Sequence, residues 1–109
     1  MFSAPVVGRL RTQLGFAGVI VSDALNMGGV VDRYSLPEAT VLALAAGNDM
    51  VLLGSSDPAS EADAMAAVQA AVLSGRLDRA ALHASAMRVN KMRDRWGRRF
   101  THCRPVMAA

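Results

Sequence analysis

Short apolar runs, separated by breaks rich in glycine and proline, divide the chain into four helical patterns and two strand patterns. Ser3 can cap a first helix, with Pro5 in its first turn and Gly15 just past its end. Val6, Val7, Leu10 and Leu14 fall on one face of that helix. Gly18-Val19-Ile20-Val21-Ser22 follows, an unbroken β-branched run without polar alternation. Period alone does not separate such a run from a buried helix. The flanking glycines and the β-branching favour a strand buried on both faces, as in a parallel sheet.

Residues 24–34 hold Asn26, Gly28-Gly29 and Asp32 and read as a loop. Ser35 and Glu38 have capping-box spacing around Pro37, which predicts a helix to about Ala46 that buries Val41, Leu44 and Ala45. Gly47 ends it. Asp49-Met50-Val51-Leu52-Leu53 reads as the second buried strand, and Gly54 to Pro58 as a loop in which Asp57 marks a turn. Ser60 and Asp63 have the spacing to open a third helix, with Met65, Val68 and Val72 on one face and Gly75 at its stop. Asp78 caps a last helix in which Leu82, Ala86, Val89 and Trp96 repeat at helical spacing. Gly97 closes it.

The expected order is therefore α-β-α-β-α-α, with one βαβ unit of the right-handed kind. Two parallel strands leave two unpaired edges. That inventory suits a slice of a larger α/β fold, since a (β/α)8 barrel needs about 250 residues and eight strands.

The chain has 109 residues, 52% of them apolar and 19% charged, which fits one small folded domain. Aromatics are only 5%, so the core must be built from Ala, Val, Leu and Met. The single cysteine, Cys103, excludes an intrachain disulfide framework and a multi-cysteine zinc site. No metal and no cofactor are expected. No run approaches the about 18 apolar residues of a membrane span. No basic head precedes an apolar stretch at the N-terminus, so no membrane partner and a cytoplasmic location are expected.

The net charge of +3 hides an asymmetry. Arg88, Lys91, Arg93, Arg95, Arg98, Arg99 and Arg104 face a single acid, Asp94, in the last stretch, whereas the body before it is acidic. A basic face can mark a nucleic-acid partner, but only Trp96 and Phe100 are interleaved, too few for a base-stacking surface. The stretch reads as a solvated helix face on a domain of residues 1–97, followed by a basic disordered tail over 98–109, with no nucleic-acid partner.

Asp23 directly follows the first expected strand. In parallel α/β sheets the C-terminal strand ends face the ligand, so this aspartate is a functional candidate. Capping of the Asn26–Gly29 turn is the plain alternative. Asp49 stands at the start of its strand, on the opposite rim, and reads as structural.

The run Leu14-Gly15-Phe16-Ala17-Gly18-Val19-Ile20-Val21-Ser22-Asp23-Ala24-Leu25-Asn26-Met27 resembles the nucleophile segment of family 3 glycoside hydrolases, L-G-F-x-G-[VI]-[VI]-[VI]-[ST]-D-x-L-x-M. Ala45-Ala46-Gly47-Asn48-Asp49-Met50 is similar to that family's A-G-x-D-[ML]. Residues 76–97 resemble the helix that closes its catalytic domain, through Leu77-Asp78, Ser85, Arg88-Val89 and Lys91. The resemblance spans residues 3–97. It implies a partial (β/α)8 TIM barrel, the last two βα units, of a retaining β-N-acetylhexosaminidase or β-glucosidase. The implied partner is a carbohydrate carrying β-linked N-acetylglucosamine or glucose. Asp23 matches the nucleophile. Met27 matches a methionine packed beside the sugar, with ordinary core filling as its equal alternative. Many members carry a second aspartate where this chain has Ala24.

A retaining mechanism also needs an acid/base group about 5 Å from the nucleophile. The resemblance places that group in an earlier His–Asp loop or on a later domain, neither of which matches this chain. His83 and His102 lie on the last helix and the tail. Glu38, Glu61 and Asp63 are better explained by helix N-termini. The chain is thus expected to be a truncated hydrolase with little or no activity of its own, and Met1, just ahead of the cap Ser3, suits a start inside a longer frame. The alternative is a non-catalytic βα module that joins a partner chain completing the barrel.

Overall fold

The computed structural model describes residues 2–55 and 57–97. Among them the order is α1 (Ala4–Thr12), β1 (Val21–Ala24), α2 (Gly28–Val31), α3 (Leu36–Ala45), β2 (Met50–Leu52), α4 (Pro58–Leu73) and α5 (Arg79–Gly97). The expected tail over 98–109 lies outside the described residues. β1 and β2 pair in parallel. The result is a partial α/β fold with its helices against one side of a short sheet.

Ile20, Leu25, Val51 and Leu53 meet those helices. Leu25 is fully buried with Val30, Ala39 and Ala43, and Val51 and Leu53 pack onto the same cluster. Ile20 packs with Val7 of α1 and Ala46. A third cluster joins Val41 of α3 to Ala71 of α4 and Leu77. Small residues dominate these contacts, and they let α3 and α4 approach closely where few large side chains are available. Gly47 ends α3 at φ +104°, a conformation that strains any residue with a Cβ.

Several expectations are corrected. β1 starts at Val21 rather than Gly18, because Phe16 and Gly18 spend their carbonyls on the Arg11 guanidinium, at 2.9 and 2.5 Å. Asp23 is therefore inside the strand, not after it. The supposed loop after it contains α2, a single helical turn closed by Val31 N–H and Val30 N–H on the Met27 carbonyl. α4 starts at Pro58, two residues before Ser60, because Asp57 is its cap and accepts from Ala59 N–H and Ser60 N–H at 3.3 and 3.1 Å. The strands are not buried on both faces: Val21 is 45% and Leu52 49% exposed. The helix faces also differ. Val6, Leu10, Leu14, Ala45, Met65, Ala86 and Trp96 are exposed, and the buried positions are smaller residues such as Ala39, Ala64, Ala71 and Ser85.

Candidate functional site

The two ends of the sheet are built differently. At the N-terminal end the side chain of Asp49 has no solvent exposure. Its Oδ2 accepts from Ile20 N–H at 2.9 Å and from the Arg11 guanidinium. Its Oδ1 accepts from Ser85 Oγ–H at 2.7 Å and from Arg88 Nε–H and Nη2–H at 3.0 and 2.7 Å. Burial pushes the Asp49 carboxyl upward, but the hydrogen bonds of Arg88, Ile20 and Ser85 and the Arg11 charge outweigh it, and the net shift is below the usual 3.8. One carboxylate thus ties α1, the entry to β1, the start of β2 and α5. That is the structural role expected of Asp49.

The C-terminal end carries the candidate chemistry. Between the pairs Val21–Met50 and Ala24–Leu52, β1 advances one residue more than β2, which makes a bulge. The buried positions show the same step: Ile20 and Ser22 are two apart, whereas Ser22 and Leu25 are three apart. The hydroxyl of buried Ser22 accepts Leu52 N–H at 3.1 Å and donates to the Asp23 carbonyl at 2.8 Å. Past the bulge, Leu25 N–H donates to the Leu52 carbonyl at 2.8 Å. Asn26 Nδ2–H reaches the Gly54 carbonyl at 2.5 Å and joins the two rim loops. A Cβ on Gly54, which sits at φ +72°, would overlap the Asn26 amide.

Asp23 is exposed, on the sheet face opposite the helices. Its Oδ1 accepts the next residue's amide, Ala24 N–H, at 2.8 Å. This short hydrogen bond orients the carboxylate and leaves its other oxygen open to solvent. Met27 is 50% exposed on the adjoining loop.

Glu38 and Asp57 are committed elsewhere. Glu38 pairs with Arg76, which holds its carboxyl below the usual range. Asp57 is held low by its bonds to Ser60 and Ala59. A general acid needs the opposite shift. Asp32 ends α2, and Glu61 lies in the first turn of α4. His83 is an exposed residue of α5. Among the described residues no three His, Cys, Asp or Glu side chains gather as a metal site requires, and no helix is long and apolar enough to cross a membrane.

A parallel α/β sheet with an open carboxylate near the carboxyl end of a strand defines a class of ligand-facing site. Comparison with known proteins narrows that class. The glycosyl hydrolase family 3 N terminal domain matches residues 3–92, and the chain belongs to that family. It is 48% identical over 61 residues to a beta-hexosaminidase of Chromobacterium violaceum, covering 56% of this chain and 16% of that protein. It is 50% identical over 46 residues to a beta-hexosaminidase of Thioalkalivibrio sulfidiphilus, covering 42% of this chain and 13% of that protein. A family 3 beta-N-acetylglucosaminidase structure from a Paenibacillus species superposes with a TM-score of 0.83 at 32% identity, over 99% of this chain and 20% of that one. The chain therefore spans a fifth or less of these relatives and is β-N-acetylhexosaminidase-like in sequence.

Asp23 and Met27 come from the sequence motif, and the structure brings both to the same rim. Sequence reasoning did not find Ser22 or the Asn26–Gly54 latch. The Asn26–Gly54 and Ser22–Leu52 contacts join residues 28 and 30 positions apart, so local sequence shows neither pairing, although Ser22 fills the Ser/Thr position of the motif.

Proposed function

We propose that this chain carries the nucleophile part of a retaining β-N-acetylhexosaminidase site, on the last two βα units of a (β/α)8 barrel. The substrate class is a carbohydrate with a β-linked N-acetylglucosamine; glucose is the alternative sugar. The observation that carries the reading is the open Asp23 carboxylate on the uncovered sheet face, within a motif shared with family 3.

Asp23 presents one carboxylate oxygen that Ala24 N–H does not occupy. Its free oxygen attacks the anomeric carbon as the glycosidic bond breaks, forming a glycosyl ester. Water then attacks the same carbon and releases Asp23 as carboxylate. The leaving oxygen needs a proton in the first step, and the water must lose one in the second. We assign the acid/base to a group outside the described residues, since Arg76 holds Glu38 low and the Ser60 and Ala59 hydrogen bonds hold Asp57 low, opposite to what a general acid needs. Met27 offers an apolar edge to the sugar.

Two results test this reading. The 109-residue chain alone should hydrolyse an aryl N-acetyl-β-glucosaminide little or not at all, since loss of an acid/base typically removes about 10²–10⁴ in rate. Grafting residues 3–92 over the matching segment of the Chromobacterium violaceum enzyme should give an active chimaera that Asp23→Asn inactivates by at least about 10³-fold. A chimaera whose activity survives that change removes Asp23 from the reaction.

A second reading, a non-catalytic βα module that docks on a partner chain, is favoured by the uncovered face at Val21 and Leu52. It predicts a discrete, cooperatively melting assembly and a chimaera indifferent to Asp23.

A further inference from the structure

We propose that Ser22 is a positioning residue for Asp23: its hydroxyl takes part in the strand pairing at the bulge and so turns the Asp23 carboxylate toward the uncovered face. The inference rests on the reading of Asp23 as nucleophile and adds a residue to that site.

A bulge bends a strand and re-aims the side chain beside it. It is uncommon between parallel strands, because the extra residue disturbs evenly spaced ladder bonds. Here the disturbance falls between Val21–Met50 and Ala24–Leu52, and the residues involved are Ser22 and Asp23. The Ser22 hydroxyl meets both sides of the irregularity. It receives the Leu52 amide of β2, and it donates to the carbonyl of Asp23 itself. Ser22 is 5% exposed, so water does not readily replace either bond. The peptide plane after Asp23 is thereby tied to β2 through a single oxygen. The amide of that same plane, Ala24 N–H, donates to Asp23 Oδ1. Ser22 thus orients the peptide plane, and the plane orients the carboxylate.

The two hydrogen bonds of its hydroxyl separate Ser22 from a residue that merely fills space. Alanine fits the same volume and removes both hydrogen bonds. Threonine keeps the hydroxyl. Cysteine keeps a similar size but accepts hydrogen bonds poorly.

The experiment uses the intact 109-residue chain, with Ser22→Ala, Ser22→Cys and Ser22→Thr. Amide hydrogen exchange at Leu52 and the Asp23 side-chain carboxyl NMR shift are measured at fixed pH. Ser22→Ala and Ser22→Cys should speed Leu52 exchange about tenfold relative to Ala39 and Ala43 and move the Asp23 carboxyl signal. Ser22→Thr should keep both near wild type. Unchanged Leu52 exchange and an unchanged Asp23 signal in whichever of the alanine and cysteine variants folds overturn the proposal. In the active chimaera the alanine change should lower kcat with little change in KM, and threonine should restore it. If the NMR results hold but the chimaera is indifferent to Asp23, the nucleophile reading fails while the geometry of the bulge stands.

Discussion

Replacing Asp49 by asparagine keeps the shape of the side chain and deletes its charge. Five donors converge on the two Asp49 oxygens: Ile20 N–H, Ser85 Oγ–H, two from Arg88 and one from Arg11. An amide offers one oxygen, and its NH2 group faces donors rather than acceptors. Removing one partner of a buried ion pair costs about 3–5 kcal/mol. The Arg11 and Arg88 side chains are 23% and 30% exposed, so both guanidiniums recover some hydration, which favours the lower end of that range. A loss of about 3 kcal/mol is a large part of the about 5–15 kcal/mol that holds a small domain together. With a urea slope of about 1–3 kcal/mol per molar, the midpoint should fall by about 1–3 M. Far-UV circular dichroism follows the whole chain, and Trp96 fluorescence follows the far end of α5. Arg88→Gln should cost less alone, and the two changes together should cost at least about 1 kcal/mol less than their sum. A midpoint within about 0.3 M of wild type would refute the view of Asp49 as the pin between α1, the sheet and α5.

The lowered Asp49 carboxyl also sets a pH dependence: its stabilisation is full above the ordinary value of 3.8 and is lost as pH falls below it through the depressed folded value. Acid titration of the wild type should show that loss, and Asp49→Asn should flatten it. Asp57→Ala removes the cap of α4 and should cost about 1 kcal/mol, read as a lower melting temperature. Gly54→Ala should destabilise by more than about 1 kcal/mol, since its positive φ and the Asn26 amide both oppose a Cβ; combining it with Asn26→Gly should recover only part of the loss. Asp23→Asn, by contrast, should leave stability within about 0.5 kcal/mol, because an exposed carboxylate with one local hydrogen bond contributes little to folding.

Much of the architecture was legible because local chemistry and global packing agree. Ser35 before Pro37 and Glu38 opens α3, and Gly47 closes it at positive φ, as their types require. Asp23 was legible as a residue near the carboxyl end of the first strand, although that strand begins later than expected and contains it. The shift has a tertiary cause, since the Arg11 guanidinium holds the loop at Phe16 and Gly18 that β-branching alone would extend. The helix faces were misread for a related reason. In α4 the contact surface is the alanine line of Ala64 and Ala71, so Met65 turns outward although it is the more hydrophobic side chain. Asp57 was passed over as a cap because Ser60 and Asp63 offered the same spacing further on. The Asp49 node could be placed at the structural rim from its position, but its partners lie 29 to 39 residues away and leave no mark in any window of sequence.

The central claim is that the Asp23 carboxylate is the group that bonds to sugar. The direct measurement is intact-protein and peptide mass spectrometry of the active chimaera after reaction with an N-acetylglucosaminyl fluoride fluorinated on the ring, which slows release of the ester. One sugar mass should be added, located on the peptide that contains Asp23 and absent in Asp23→Asn. A sugar attached to another carboxylate, or one that persists in the asparagine variant, contradicts it.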